Sequence, residues 1–299
     1  MSTISLLLPT RGRKALVYRL FDSLLQTTSD LSRIEIVLCV DEDDFESLEM
    51  KFDPVFNVRK TVGKRSTMGT YNTKCLEQSS GDIVILFNDD VIVRTRHWDR
   101  TILDFDARHK DKIYLAYVND LFKKEKVGSF PILSRKTCDT LKDPFPSPYK
   151  GEHIDYHLFD IFKRLSMRGY NRIHYFEGVI FEHMHFSQGK ASFDQTYVDR
   201  TKYVDDEVFI AYASNRRNAA DRLSAIIQGS PLPDVSESPR IISIDDTQEY
   251  FRTLYMTFIK DRSLPFLWRW ELLLWFFWRF HAKQGRFLWV KKLLYAAKI

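Results

Sequence analysis

Three polar side chains stand at the end of an apolar run and could bind a metal ion. The run IVILF covers residues 83 to 87 and is followed directly by Asn88, Asp89 and Asp90. Magnesium and manganese ions prefer oxygen ligands, so two carboxylates beside an amide could hold such an ion and orient a ribose. A nucleoside diphosphate would complete the shell of the ion. The alternative interpretation is a polar turn that closes a strand.

Two further polar clusters follow apolar runs elsewhere in the chain. PTRGR begins at residue 9, at the end of the run ISLLLPT, and DEDD covers residues 41 to 44 after IEIVLCV. Continuous apolar runs are typical of strands buried on both faces, and segments with helical spacing of apolar residues separate them. This alternation predicts an α/β fold with a doubly wound, mainly parallel sheet. Ligands of such sheets bind beyond the carboxyl ends of the strands, so we expect the three clusters to converge.

The order of these motifs resembles that of the inverting family-2 glycosyltransferases of GT-A fold. The similar features are LLLPTRGR, Asp41, GKRSTMGTYN, the D-x-D-like GDIVILFNDD, WD at 98 to 99, an acidic helix start near 155 and the late EHMHF. The resemblance extends over residues 3 to 200. It implies a Rossmann-like GT-A domain that transfers a sugar from a nucleoside diphosphate to an acceptor hydroxyl.

The resemblance implies roles in nucleotide binding for residues before the acidic triplet. Thr10 and Arg11 would line the nucleotide pocket, and Asp41 would accept a hydrogen bond from the ring N–H of uracil. Arg65 would lie near the diphosphate, and Asn72 would support the site.

Within the triplet, the resemblance implies that Asn88 contacts the ribose, that Asp89 also lies in the nucleotide site, and that Asp90 binds Mn²⁺ or Mg²⁺. The family usually has an acid at the position of Asn88, and this departure removes one negative charge. His183 and His185 could compensate for it, because alternate residues of a strand project to the same side and neutral imidazole binds manganese-like ions. The resemblance implies a late histidine in the cation shell; the alternative for either histidine is a structural role.

Inversion at the anomeric carbon requires a base that removes the proton of the acceptor hydroxyl. The segment GEHIDYHLFDIF offers Glu152, Asp155 and Asp160, and the resemblance favours the carboxylate in the first helical turn, which is Asp155. Glu152 is the main rival. The alternative interpretation of Asp155 is structural, because an acid in a first turn is stabilised by the helix dipole whatever its chemistry.

The composition indicates a globular protein of a reducing compartment. The chain has 299 residues with 45 lysines and arginines against 40 acids, a balance that favours anionic partners, and we expect no nucleic acid among them. Its three cysteines are widely separated, which argues against a disulfide framework. No basic region precedes the first apolar stretch, so we expect no signal peptide and a cytoplasmic location.

The sequence predicts a GT-A catalytic domain at residues 1–228, a proline- and serine-rich linker at 229–240 and a helical extension at 241–299. The extension holds five of the six tryptophans, interspersed with arginine and lysine. This composition favours helices that lie in a membrane interface, which would place the enzyme on the inner face of the membrane. The alternative is that these helices pack on the catalytic domain or on a second subunit.

Together these features predict a metal-dependent, inverting transfer of a sugar from a UDP-sugar to a hydroxyl of a glycan or lipid-linked acceptor. Two alternatives remain open. A nucleotidyltransferase would be supported by a glycine- and lysine-rich signature after the first strand, which PTRGRK resembles weakly. A non-catalytic peripheral membrane module predicts no donor hydrolysis and no effect of Asp155→Asn beyond stability.

Overall fold

A computed structural model of the chain describes residues 2–191, 202–233 and 239–286. Its centre is a mixed sheet of eight strands in the order β3-β2-β1-β4-β7-β6-β8-β5. The strands are β1 (Ile4–Thr10), β2 (Ile34–Asp41), β3 (Asn57–Gly63), β4 (Ile83–Leu86), β5 (Val91–Val93), β6 (Leu115–Asn119), β7 (Ile132–Ser134) and β8 (Ile173–His183). The predicted α/β class is confirmed.

Helices cover both faces of the sheet. They are α1 (Lys14–Thr27), α2 (Phe45–Leu48), α3 (Met68–Gln78), α4 (Trp98–Arg108), α5 (Arg135–Leu141), α6 (Ile154–Met167), α7 (Val204–Ala211), α8 (Ala213–Gln228), α9 (Thr247–Leu254) and α10 (Phe266–Lys283). A π-helical turn (Tyr255–Ile259) follows α9. Within the described residues, no helix combines the length and the apolarity needed to cross a bilayer.

The first half of the sheet is parallel, as the apolar runs predict. Strands β3, β2, β1 and β4 run side by side in the same direction, and β1 and β2 are buried along their whole length. Alternate residues of β1 point to opposite faces: Leu7 joins one buried apolar cluster, whereas Leu6 and Leu8 join the other. The parallel directions bring the ends of β1, β2 and β4 to one edge.

The second half of the sheet is mixed. Strand β7 is antiparallel to both β4 and β6, and β8 is parallel to β6 but antiparallel to β5. We predict two short strands from RIHYF and VIFEHMHF, but the structure has the single strand β8, which passes a register shift opposite Val118 and Asn119. Its last residue, His183, is paired with Val91, and the N–H of Met184 donates to the carbonyl of Asp90. The late histidine and the acidic triplet are therefore neighbours.

The described part of the predicted extension packs on the rest of the protein. Trp268, Leu272 and Phe276 of α10 are buried in the same apolar cluster as Leu158 of α6. Residues 234–238 of the predicted linker and 287–299 of the predicted extension, with Trp289, Lys291 and Lys292, lie outside the described residues. The division of the chain into catalytic domain, linker and extension stays a prediction.

Candidate active site

The three polar clusters meet at the carboxyl edge of the parallel strands. Thr10 Oγ1 donates to Asp89 Oδ2 at 2.8 Å, and an Arg13 guanidinium nitrogen donates to Asp89 Oδ1 at 2.9 Å. Asp89 is buried, and burial raises its pKa to about 6 although Arg13 opposes the shift. The side chain of Asp89 therefore connects the loop after β4 to the loop after β1. It also lies at the edge where nucleotide binding is predicted.

Asp41 is held by two partners at the end of β2. Arg11 donates to Asp41 Oδ2 at 2.8 Å, and the hydroxyl of Tyr71 donates to Asp41 Oδ1 at 2.5 Å. Arg11 also pairs with the more exposed Asp43, and this hydrogen bond is the main reason why the pKa of Arg11 is raised. Burial and the bond to Asp41 raise the pKa of Tyr71 in turn. The Asp41 carboxylate is thus held in place by hydrogen-bond donors from two parts of the chain.

These residues line a first cavity of about 290 Å³. It contains four basic and three acidic side chains, and most of the residues predicted for the nucleotide lie around it. Its lining includes Thr10, Arg11, Arg13, Asp41, Arg65, Tyr71, Asn88, Asp89, Asp90 and Lys150. Three of these residues are not among the predicted site residues: Tyr71, Lys150 and Arg13, a basic loop residue of a kind that is ordinarily solvated. The apolar face of α3 indicates a core role for Tyr71, and no sequence signal links Lys150 to this edge.

A second cavity of about 310 Å³ adjoins the first, and Met68 and Asn88 line both. The predicted residues Asn72, Asp155, His183 and His185 line this second cavity. Asn72 therefore lines the same cavity as the candidate base and does not line the first cavity. Other walls come from the loop before β7, from α6 and from α10. Phe122, Lys123, Phe130, Glu152, Tyr156, Trp275 and Arg279 are among them.

Asp90 and His183 form a pair at the boundary between the cavities. His183 Nε2 lies 3.2 Å from Asp90 Oδ1, and both side chains are largely buried. The Nδ1 atom of His183 is buried and has no hydrogen-bond partner among the described residues. The ring centre of His185 is 5.2 Å from that of His183. The Asp90 carboxylate is an oxygen ligand of the kind that Mn²⁺ and Mg²⁺ prefer, and the neutral imidazole of His183 could add a nitrogen ligand to a Mn²⁺-like ion.

A different group of ligand-type side chains is already neutralised by an arginine. Glu152, His153 and Asp206 lie close enough together to share an ion. However, Arg279 donates to both Asp206 carboxylate oxygens at 2.9 Å and to Glu152 at 2.6 Å, and His153 Nε2 lies 2.7 Å from Asp206 Oδ1. The guanidinium supplies the positive charge at this point, so we assign no metal ion to this group.

Asp155 and Glu152 differ in what surrounds their carboxylates. Asp155 lies in the first turn of α6, with Oδ2 3.2 Å from Lys123 Nζ and Oδ1 accepting from the N–H of Tyr156. Glu152 accepts from Arg279 and from the N–H of Tyr203. Glu152 thus belongs to a hydrogen-bond network that connects the start of α6 with α7 and α10. Asp155 lines the cavity and has one lysine beside it.

The loop that carries Lys123 is positioned by a buried carboxylate. Asp120 Oδ1 accepts from the N–H groups of Phe122, Lys123 and Lys124 at 2.8 to 2.9 Å. Asp120 is fully buried. This arrangement fixes the loop backbone and directs Lys123 toward Asp155.

No protein-family model matches the sequence, and no curated protein sequence matches it either.

The fold is similar to solved glycosyltransferase structures. A fragment of S. aureus TarS, residues 1–349, is 12% identical, and the match covers 95% of this chain and 92% of that fragment with a TM-score of 0.51. The same TarS fragment in complex with UDP-GlcNAc is also 12% identical in sequence, with the same coverage of both chains and a TM-score of 0.50. The mannosyltransferase PcManGT of Pyrobaculum calidifontis, with GDP-Man and Mn²⁺, is 12% identical over 94% of this chain and 86% of its own, with a TM-score of 0.49. The chain therefore has the GT-A fold of glycosyltransferases, as the sequence predicts.

Proposed function

We propose that the protein is a metal-dependent, inverting glycosyltransferase that moves a sugar from a UDP-sugar to a hydroxyl of a glycan or lipid-linked acceptor. The observation that carries this proposal is the pair of adjoining cavities. One is lined by basic residues and Asp41, the other contains Asp155, and the pair of Asp90 and His183 lies between them. Two substrates bound in these cavities would meet beside Asn88, which lines both.

The first cavity fits a nucleoside diphosphate. Arg11, Arg13, Arg65 and Lys150 offer positive charge to phosphate oxygens, and Asp41 offers a carboxylate that can accept from the N–H of uracil. The TarS fragment of the same fold was solved with UDP-GlcNAc, which supports a UDP-sugar as donor.

Asp90 and His183 would hold the divalent cation, with His185 nearby. When bound, a Mn²⁺ or Mg²⁺ ion supplies positive charge that stabilises the diphosphate as it leaves. The protein supplies the buried Asp90 carboxylate, which would be costly to bury without a positive partner.

In the proposed reaction, Asp155 accepts the proton of the acceptor hydroxyl while the hydroxyl oxygen attacks the anomeric carbon. The bond between that carbon and the diphosphate oxygen breaks at the same time, so the configuration inverts. Lys123 Nζ lies 3.2 Å from Asp155 Oδ2 and places a positive charge beside the candidate base in the resting site. Glu152 is bound by Arg279, which favours Asp155 as the base.

The proposal includes a cytoplasmic location on the inner face of a membrane. Four side chains of α10 form an exposed apolar surface, which we call the exposed α10 surface: Phe266, Leu267, Trp270 and Leu274. The exposed Lys260 and Arg262 precede it directly in the chain. Apolar and tryptophan side chains next to exposed basic residues suit an interface that contains anionic lipid.

The test is a screen of UDP-sugars for hydrolysis and transfer in the presence of Mn²⁺. We expect activity that EDTA abolishes and Mn²⁺ restores. Asp155→Asn should lower the turnover number by about a thousandfold while UDP still binds, and Asp90→Ala should abolish Mn²⁺ binding measured by calorimetry. A folded, fully active Asp90→Ala variant would contradict the metal assignment, and release of pyrophosphate from a nucleoside triphosphate would indicate nucleotidyl transfer instead.

A further inference from the structure

Helix α10 contributes side chains to the cavity that contains the candidate base. Trp275 and Arg279 line this second cavity, together with Lys123, Asp155 and Tyr156. The lining of the first cavity comes instead from residues 9–90 and Lys150. If the donor occupies the first cavity, α10 lies against the acceptor.

The position of Trp275 relative to Asp155 is fixed by direct contacts between α10 and α6. The rings of Trp275 and Tyr156, the residue after Asp155, are stacked with centres 4.4 Å apart. Trp268 Nε1, two turns earlier in α10, donates to Asp160 Oδ1 of α6 at 2.9 Å. The aromatic wall and the candidate base are therefore held together as one unit.

The charges of the second cavity are compensated within the protein. Lys123 pairs with Asp155, and Arg279 pairs with Glu152 and Asp206. An anionic acceptor could gain a cationic partner only by breaking one of these ion pairs. The carboxylate of the broken pair would then be left without its positive partner, which is costly. In the first cavity Arg11 and Arg13 are also paired with acids, but the four basic side chains of the lining outnumber its three acidic ones, so the lining keeps a net positive charge.

We propose that the second cavity binds an uncharged sugar ring, packed against the surface formed by Trp275 and Tyr156, and that Trp275 is a specificity-determining residue. This inference rests on the proposed function, which it deepens by naming the chemical class of the acceptor. Aromatic walls with a few polar groups are typical of small-molecule sites, and the C–H groups of a sugar ring can pack on them while its hydroxyls bind polar neighbours.

The experiment compares p-nitrophenyl glycosides of uncharged hexoses with the same glycosides carrying a 6-phosphate. Binding is measured by saturation-transfer NMR in the presence of UDP and Mn²⁺, and transfer is measured with the active UDP-sugar. We expect the uncharged glycosides to bind and to accept the sugar. Trp275→Ala should raise the KM for the acceptor by about tenfold, more than it changes the KM for the donor.

Trp278→Ala is the matched control, because Trp278 lies on the same helix, is 46% exposed and is not part of the cavity lining. It should leave the acceptor KM within about twofold. Trp275→Phe keeps an aromatic ring and should give an intermediate KM; it replaces Trp275→Ala if thermal melting shows that the alanine variant does not fold.

The inference is overturned if the phosphorylated glycosides bind more tightly, if neither class binds while the UDP-sugar is hydrolysed, or if the Trp275 and Trp278 variants have the same acceptor KM. These results leave the proposed function intact. Failure of the wild-type protein to bind or hydrolyse any UDP-sugar would instead contradict the proposed function itself.

Discussion

At the scale of single residues, Asp41 is the side chain that connects the first cavity to the sheet, because it is the last residue of β2. It accepts from Arg11 and from Tyr71, and we propose that it also accepts from the base of the donor. Asp41→Asn removes the negative charge that holds both donors, so we expect the Kd for UDP to rise by about tenfold, measured by isothermal titration calorimetry.

Asp43→Asn is the control for this prediction. Asp43 pairs with the same arginine, but its side chain is exposed, and exposed ion pairs contribute little. The Kd of this variant should stay within about twofold of the wild type. Equal losses in the two variants would mean that Asp41 acts only by orienting Arg11.

The types of residue at this edge could be predicted from the sequence, whereas their partners could not. Asp41 and the triplet at 88–90 are recognisable because each follows a continuous apolar strand. The partners of Asp89 lie 76 and 79 residues away, and a basic loop residue such as Arg13 is ordinarily solvated. In the structure its side chain is 9% exposed and bonded to Asp89. The pair forms because β1 and β4 are neighbouring parallel strands, so the loops that follow them lie side by side.

At the scale of elements, the contact between α6 and α10 depends on a buried charge network around Asp160. Its carboxylate accepts from Arg164 and Arg216 and from the indole of Trp268. Burial alone would raise the pKa of Asp160, but the two guanidinium groups lower it to about 2. The network is therefore charged at neutral pH and joins α6, α8 and α10.

We predict that Asp160→Asn lowers the free energy of unfolding by about 3 kcal/mol, because it leaves two buried guanidinium groups with one carboxylate fewer. Urea denaturation measures this loss. The matched control is Asp221→Asn, which removes the partner of Arg168 at a more exposed position and should cost about 0–1 kcal/mol. A similar loss in both variants would show that the buried network adds no stability beyond that of an exposed pair.

Strand and helix predictions succeed where apolar patterns are strong and fail where they are weak. The runs that become β1, β2 and β4 are buried almost throughout. Strand β3 lies at the sheet edge, alternates between exposed and half-buried residues, and has no apolar run that would identify it. The bond between Trp268 and Asp160 spans 108 residues, so no local pattern could indicate that α10 packs on α6.

At the scale of the whole molecule, α10 has one face that packs on the protein and another that is exposed. Trp268, Leu272 and Phe276 are buried in the protein, as expected if the tail packs on the catalytic domain. The exposed α10 surface lies on another face of the same helix: Leu267 is 79% and Leu274 is 60% exposed. Packing on the protein and binding to a membrane are therefore compatible, because they use different faces. The second cavity, lined by Trp275 and Arg279, would then open near the bilayer.

Deletion of residues 241–299 would be a poor test of membrane binding, because it also removes buried side chains such as Trp268 and Phe276. We instead predict that the double substitution Trp270→Glu and Leu274→Glu abolishes flotation with vesicles of anionic phospholipid and leaves the melting temperature unchanged. Both side chains are exposed, so the fold loses little, whereas two carboxylates oppose entry into an anionic interface.

Phe45→Glu, at an exposed residue of α2, is the control and should float like the wild type. Equal flotation of the double variant and the wild type would mean that α10 does not contact lipid, and the exposed face would then be available for a protein partner.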